Sequence, residues 1–111
     1  SKMGKVTGTS ALQPRKIEFT NSFKKDLKKA KSHIKCDIET LKSVMNMIVG
    51  RELLTAKYLD HPLTGRYPNQ KGGNTDCREC HVCNDWLLVY RFPNIDTVHF
   101  IRTGTHSEIF G

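Results

Sequence analysis

The run Asp85–Phe92 (DWLLVYRF) restricts the fold of this 111-residue chain more than any other feature. Apolar residues fill it almost without interruption, yet it is far too short to cross a membrane. Both of its faces therefore need covering, as for a strand in the middle of a sheet. Pro93-Asn94 reads as the turn that follows, and Thr97 to Thr103 alternates at the period of another strand. Upstream, Asp76 to Val82 reads as a third. Strands joined by such short turns pair antiparallel.

The first half supplies the cover. Arg15 to Thr20 alternates, with Ile17 and Phe19 on one side, as a short strand would. Thr20 or Asn21 can cap a helix whose stripe is Phe23, Leu27, Ala30 and Ile34, with Lys24, Lys25, Lys28, Lys29 and Lys31 facing outward. Asp37 can cap a second, with Ile38, Leu41, Met45, Ile48 and Val49 at helical spacing and Gly50 suited to a left-handed stop. A short helical stretch over Glu52 to Lys57 and a loop at His61-Pro62-Leu63-Thr64-Gly65 are expected next. The order β-α-α-β-β-β predicts an α+β fold, an antiparallel sheet with two N-terminal helices packed on it. Residues 1–14 are polar and aperiodic and read as a flexible extension to a single domain, 15–111. With no long apolar stretch and no signal-peptide core, a soluble, cytoplasmic protein without membrane contact is expected.

Charge narrows the partners. Lys and Arg number eighteen against eleven Asp and Glu, a formal +7. Ten of the basic residues fall in the first 35 positions, where only Glu18 and Asp26 oppose them. Such a field favours polyanions, although lysine-rich helix faces are often merely solvated.

Polar residues of catalytic type are spread along the second half: His61 in the loop after the helices, His81 and Asp85 about the turn between two strands, Arg102 at the end of the last strand and His106 in the tail. RNA carries its own nucleophile in the 2′-hydroxyl. An enzyme that cuts it needs one group to take that proton and another to protonate the leaving 5′-oxygen, and histidine suits both. A guanidinium stabilises the phosphate as charge develops. No cofactor or metal is required, and the chain has no carboxylate cluster of the kind magnesium takes. His33, near a helix end, and His99, on a strand, read as structural.

Four segments carry a resemblance. Asp60-His61-Pro62-Leu63-x-Gly65, Arg78-Glu79-Cys80-His81-Val82, Asp85-Trp86-Leu87-Leu88-Val89-Tyr90 and Arg102 through Gly111 (RTGTHSEIFG) closely resemble the YafQ-type toxins, a branch of the RelE-type mRNA interferases. All four occur in the order of that family, and the resemblance spans residues 15–111. It implies a RelE-like fold and a ribosome-dependent endoribonuclease that cuts mRNA and is restrained by a cognate antitoxin. By the same resemblance, His61, His81, Asp85 and His106 form the catalytic group, with His106 as general acid and Asp85 or His81 as base. Arg102 would hold the scissile phosphate. Trp86 and Phe110 match aromatic positions where a base or ribose stacks, while the bland alternative makes Trp86 core and Phe110 a tail anchor.

The chain departs from that pattern in two places. Arg66 to Asp76 (RYPNQKGGNTD) makes the joint before Cys77 longer than the family leads one to expect. It reads as a mobile loop with little packing, on which Arg66 and Lys71 could meet RNA or ribosomal phosphate. In addition, Cys77, Cys80 and Cys83 form C-x2-C-x2-C around His81. A disulfide framework is not expected without a secretion signal. Those cysteines support a rival reading, a zinc or iron–sulfur nucleic-acid-binding module without nuclease activity, with Cys36 as a possible fourth ligand. Alternation on a strand would put Cys77, His81 and Cys83 on one face and Cys80 on the other. A third reading is a catalytically dead RNA-binding domain.

Overall fold

The computed structural model describes residues 13–32, 37–69, 71–83 and 85–111. The extension read over 1–14 therefore lies, save for its last two residues, outside the described residues, as do His33, Ile34 and Cys36. Five strands, β1 (Lys16–Phe19), β2 (His61–Pro62), β3 (Arg78–Cys83), β4 (Trp86–Asn94) and β5 (Thr97–Thr105), form one sheet in the order β1-β5-β4-β3-β2. Helices α1 (Asn21–Ala30) and α2 (Ile38–Val49) link β1 to the rest, a single turn of 3₁₀ helix occupies Ala56–Tyr58, and α3 (His106–Phe110) follows β5.

The apolar run is the central strand. Trp86, Leu88 and Tyr90 pack with Phe23, Val44 and Phe100 on the side of α1 and α2. Leu87 and Val89 pack with Cys77, Ile101 and Ile109 on the opposite side. The α+β class holds, but the sheet is mixed: β1 pairs in parallel with β5, from Lys16↔Thr97 to Phe19↔Phe100. β1 is followed by two helices and not by a turn, so the chain can return to the sheet in either direction. β4 also runs through Pro93-Asn94, and the turn falls at Ile95-Asp96, where the Asn94 side chain accepts from the Asp96 N–H at 2.9 Å.

Caps stand where the sequence puts them. Thr20 Oγ1 accepts from the Phe23 N–H at 2.9 Å, and Asp37 Oδ1 from the Glu39 N–H at 3.0 Å. The end of α2 differs: Gly50 has φ −80°, and Arg51 takes the left-handed place at φ 65°. The Glu52 N–H reaches Met47 O at 2.9 Å and the Arg51 N–H reaches Ile48 O at 3.2 Å, the Schellman pair. Arg51 is held in this costly conformation by its own side chain, which donates to Gln13 O, Ile95 O and Asp96 Oδ1 at 2.8, 2.9 and 2.8 Å.

Beyond Phe100, β5 outruns its parallel partner, and α1 covers the bare edge instead. Thr20 Oγ1 donates to Ile101 O at 2.7 Å, and Asp26 Oδ2 accepts from the Thr103 N–H at 3.1 Å. The chain end, read only as a tail, is a short helix with a capping box. Thr105 Oγ1 accepts from the Glu108 N–H, and Glu108 Oε1 accepts from the Thr105 N–H at 2.9 Å. Gly104, at φ 153°, leaves room for that carboxylate, since a Cβ there would lie 3.0 Å from Glu108 Oε1. The Thr105 N–H and then the Lys29 ammonium, 2.9 Å away, hold the Glu108 carboxyl down at about 2, below its ordinary 4.5. A depressed acid stabilises the fold above its unfolded value and loses that contribution as pH falls toward 2. Glu108→Gln should therefore melt lower than wild type at pH 7, by roughly 1 kcal/mol, and the two curves should converge in acid. Parallel melting curves at every pH would refute this account of α3.

Candidate active site

The site lies on the sheet face away from α1 and α2. Directly opposed residues of neighbouring strands share a face, so the pairs His61↔Glu79, Glu79↔Val89 and Val89↔Arg102 place His61, Glu79 and Arg102 in one row. His81, paired with Leu87, stands one row along, about 7 Å away at strand spacing. Trp86 pairs with Thr105, so Asp85 and His106 each sit one step beyond a pair and border that same end of the sheet.

Glu79 is the centre of this arrangement, and sequence reasoning missed it. It is 6% exposed, and its Oε1 lies 3.3 Å from His61 Nε2 and 3.6 Å from His81 Nε2. His61 Nδ1 also lies 3.0 Å from Pro62 O. Both nitrogens of that ring thus face oxygens. The donor atoms of His61, Glu79 and His81 fall within 4.8 Å of one another, a grouping able to grip a transition metal. The signal for Glu79 was available: it shares a strand face with His81, two residues on.

Arg102 is held by α1. Its Nε and Nη2 both donate to the Asp26 carboxylate, the latter at 3.1 Å, and this pairing raises the guanidinium further above its ordinary range. Asp26, the acid among the lysines of α1, therefore covers the β5 edge and orients Arg102 at once. His106 is exposed at the first turn of α3, its ring 5.1 Å from that of Phe110. Asp85 is exposed in the β3–β4 turn.

Three expectations need correction. Trp86 is 2% exposed and its indole N–H donates to Thr103 Oγ1 at 2.9 Å, so it belongs to the core and offers no face to a base. The Arg66–Asp76 segment is not loosely packed. Tyr67 and Asn74 exchange two backbone hydrogen bonds of 2.7 and 2.8 Å, and the Tyr67 ring meets Phe110 edge-on at 5.6 Å. Burial pushes the Tyr67 phenol up. Arg66 donates to Gly73 O at 2.7 Å, which ties that guanidinium to its own loop, whereas Lys71 is exposed.

The third concerns the cysteines. Cys77 and Cys80 are free thiols, 1% and 0% exposed, and they belong to the clusters on opposite faces of the sheet. Burial pushes the Cys80 thiol up to about 12, the reverse of what metal binding needs. A register shift between His81 and Cys83 turns Cys83 to the helix side, and Cys83 is disulfide-bonded. Cys77, Cys80 and Cys83 thus form no common ligand set.

The family model for the YafQ bacterial toxins of type II toxin–antitoxin systems matches residues 15–111. This chain belongs to that family. It is 37% identical to the mRNA interferase toxin YafQ of Escherichia coli K12, over 87% of this chain and 97% of the relative. YafQ in the crystal structure of the E. coli DinJ–YafQ toxin–antitoxin complex matches 89% of this chain and all of its own length, with a TM-score of 0.72 at 36% identity. The crystal structure of a metal-bound toxin from Helicobacter pylori matches 86% of this chain and 99% of its own length, with a TM-score of 0.68 at 39% identity. Among the described residues, no helix is long and apolar enough to cross a membrane.

Proposed function

We propose that this toxin cleaves mRNA on the ribosome in the cytoplasm by metal-independent acid–base chemistry, and that a cognate antitoxin covers its basic surface and site. The observation that carries this reading is the buried Glu79 carboxylate set between His61 and His81 on the sheet face that also bears Arg102. In this reading His81, steadied by Glu79, takes the proton of the 2′-hydroxyl. The 2′-oxygen attacks phosphorus, the bond to O5′ breaks, and His106 gives its proton to that oxygen. Arg102 steadies the phosphate, helped by the His61 imidazole. The products are a 2′,3′-cyclic or 3′-phosphate and a 5′-hydroxyl. Asp85, one residue before the Trp86↔Thr105 pair, is a second candidate base. The relative named an mRNA interferase, and the relative crystallised with its antitoxin, support the substrate and the partner.

A metal gripped by His61, Glu79 and His81 would occupy the nitrogens this chemistry uses. Protein stripped of metal should therefore cut mRNA on magnesium-containing ribosomes at full rate, and added zinc or copper should inhibit it. Inactive stripped protein that a divalent ion restores would overturn metal independence. His106→Ala should lower kcat by roughly 10²–10⁴ with little change in KM, read from mapped 5′ ends. A variant that cuts at the wild-type rate removes His106 from the reaction.

A further inference from the structure

Asp26 is the single acid of α1, and its side chain is 13% exposed while Lys24, Lys25, Lys28 and Lys29 around it face solvent. We propose that Asp26 is a positioning residue of the reaction, an assignment that rests on the reading of Arg102 as the phosphate anchor. Its carboxylate confines Arg102 to one edge for contact with the scissile phosphate. It also cancels the charge with which that guanidinium would otherwise hold any RNA.

A guanidinium carries its five N–H groups in one plane, and a carboxylate takes two of them along one edge. Asp26 takes the edge made by Nε and Nη2 of Arg102. A phosphate is left the far edge, formed by Nη1 and the second N–H of Nη2, with the Tyr67 hydroxyl beside it. The carboxylate is itself anchored. It accepts the Thr103 N–H at 3.1 Å, from the residue next to Arg102 on β5, so α1 and the strand backbone set its place together. An arginine on its own flexible stem sweeps a wide arc, whereas this one presents the same edge at every encounter. Donors already in place are what the growing charge of the transition state requires.

The same contact governs binding. A guanidinium paired with a carboxylate is close to neutral for an approaching polyanion, so the hold on RNA at rest falls to exposed lysines such as Lys24, Lys25 and Lys28. Lys29 is engaged with Glu108 at 2.9 Å. Arg102 then contributes mainly when the phosphate gathers charge, which raises kcat and not affinity. An ion pair that served only the fold would stabilise α1 on β5 and leave the affinity for RNA independent of Arg102.

Two readouts on the purified toxin test this. One is kcat and KM for mRNA cut on programmed ribosomes. The other is Kd for a short single-stranded RNA bearing 2′-O-methyl groups throughout, which cannot be cleaved. Asp26→Asn keeps the shape and an acceptor for the Thr103 N–H but loses the charge. It should lower kcat by about a hundredfold with KM no higher than wild type. It should also tighten the uncleavable RNA about tenfold at low salt, with a salt slope steeper by about 0.7. Glu39→Gln, the same change of net charge on exposed α2, should move Kd less than about twofold. Asp26→Glu restores the charge at the wrong reach, so Kd should stay at the wild-type value while kcat remains low. With Arg102→Ala in the background, Asp26→Asn should change neither quantity by more than about twofold. An Asp26→Asn protein that loses activity without binding RNA more tightly overturns the proposal, as does an equal effect in the absence of Arg102. Should Asp26→Asn fail to fold, a wild-type kcat in Asp26→Glu overturns it instead. Wild type that cuts no mRNA removes the nuclease reading, and the Kd comparison with and without Arg102 still decides whether Asp26 masks that charge.

Discussion

Replacing Glu79 by glutamine is expected to slow mRNA cleavage by about two to three orders of magnitude while folding and ribosome binding stay close to wild type. The substitution keeps the size of the side chain and its cross-strand place opposite His61 and Val89. What changes is the acceptor. The carboxylate presents one oxygen to the Nε2 atoms of both His61 and His81, whereas an amide can turn an N–H toward one of them. Such a turn favours the wrong tautomer in that ring. Losing the carboxylate that orients a catalytic imidazole costs up to roughly 10⁴ in well-studied hydrolases. The smaller figure here allows for two half-exposed rings that water can partly serve. Single-turnover cleavage on programmed ribosomes measures the effect. A Glu79→Gln enzyme within threefold of wild type would show that the carboxylate serves the sheet and not the reaction.

Glu79 illustrates how far the sequence could be read. The central strand, both helix caps and the face shared by residues 79 and 81 follow from periodicity and side-chain chemistry over short distances. The role of Glu79 depends on its neighbour across the sheet, and His61-Pro62 has no strand signature: two residues cannot show alternation, and proline suits an edge. Parallel pairing of β1 with β5 joins residues about eighty positions apart, with helices and three other strands between them, so nothing local records it. Strict alternation puts Cys83 on the wrong face, because a register shift after His81 breaks the period. Trp86 misled for a related reason. A strand-end tryptophan suits a core or a binding face equally, and only the Thr103 hydroxyl waiting for its N–H decides between them. Asp26 was legible as the odd acid of a basic helix, but its two partners, Arg102 and the Thr103 N–H, lie at the far end of the chain.

The largest stability effect is expected at Asp60, one residue before His61. Its Oδ1 accepts the Tyr90 hydroxyl, and its two oxygens take Arg78 Nε and Nη2 at 3.3 and 3.0 Å. Tyr90 is 2% exposed on the central strand and Arg78 opens β3, so this carboxylate ties the β2 edge to the two strands beneath it. The Tyr90 phenol is pushed up first by burial and then by its bond to Asp60, so the hydroxyl stays a donor in search of an acceptor. Asp60→Ala strands that hydroxyl in the core and leaves Arg78 without its ion partner. The Arg78–Asp60 pair is partly solvated, with side chains 33% and 25% exposed, which keeps its own share small. The buried hydroxyl supplies most of the loss, and the total should come to about 2–3 kcal/mol, or a Tm lower by roughly 10 °C in a domain of this size. Asp60→Asn retains an acceptor for Tyr90 and should lose about half as much. Tyr90→Phe removes the donor that needs an acceptor, so in that background Asp60→Ala should cost well under half of its effect alone. Equal costs of Asp60→Ala in the two backgrounds would mean that Arg78, and not Tyr90, is what the carboxylate secures. Cleavage by Asp60→Ala should fall even below its melting temperature, because His61 then sits on an edge strand with its inner anchor gone.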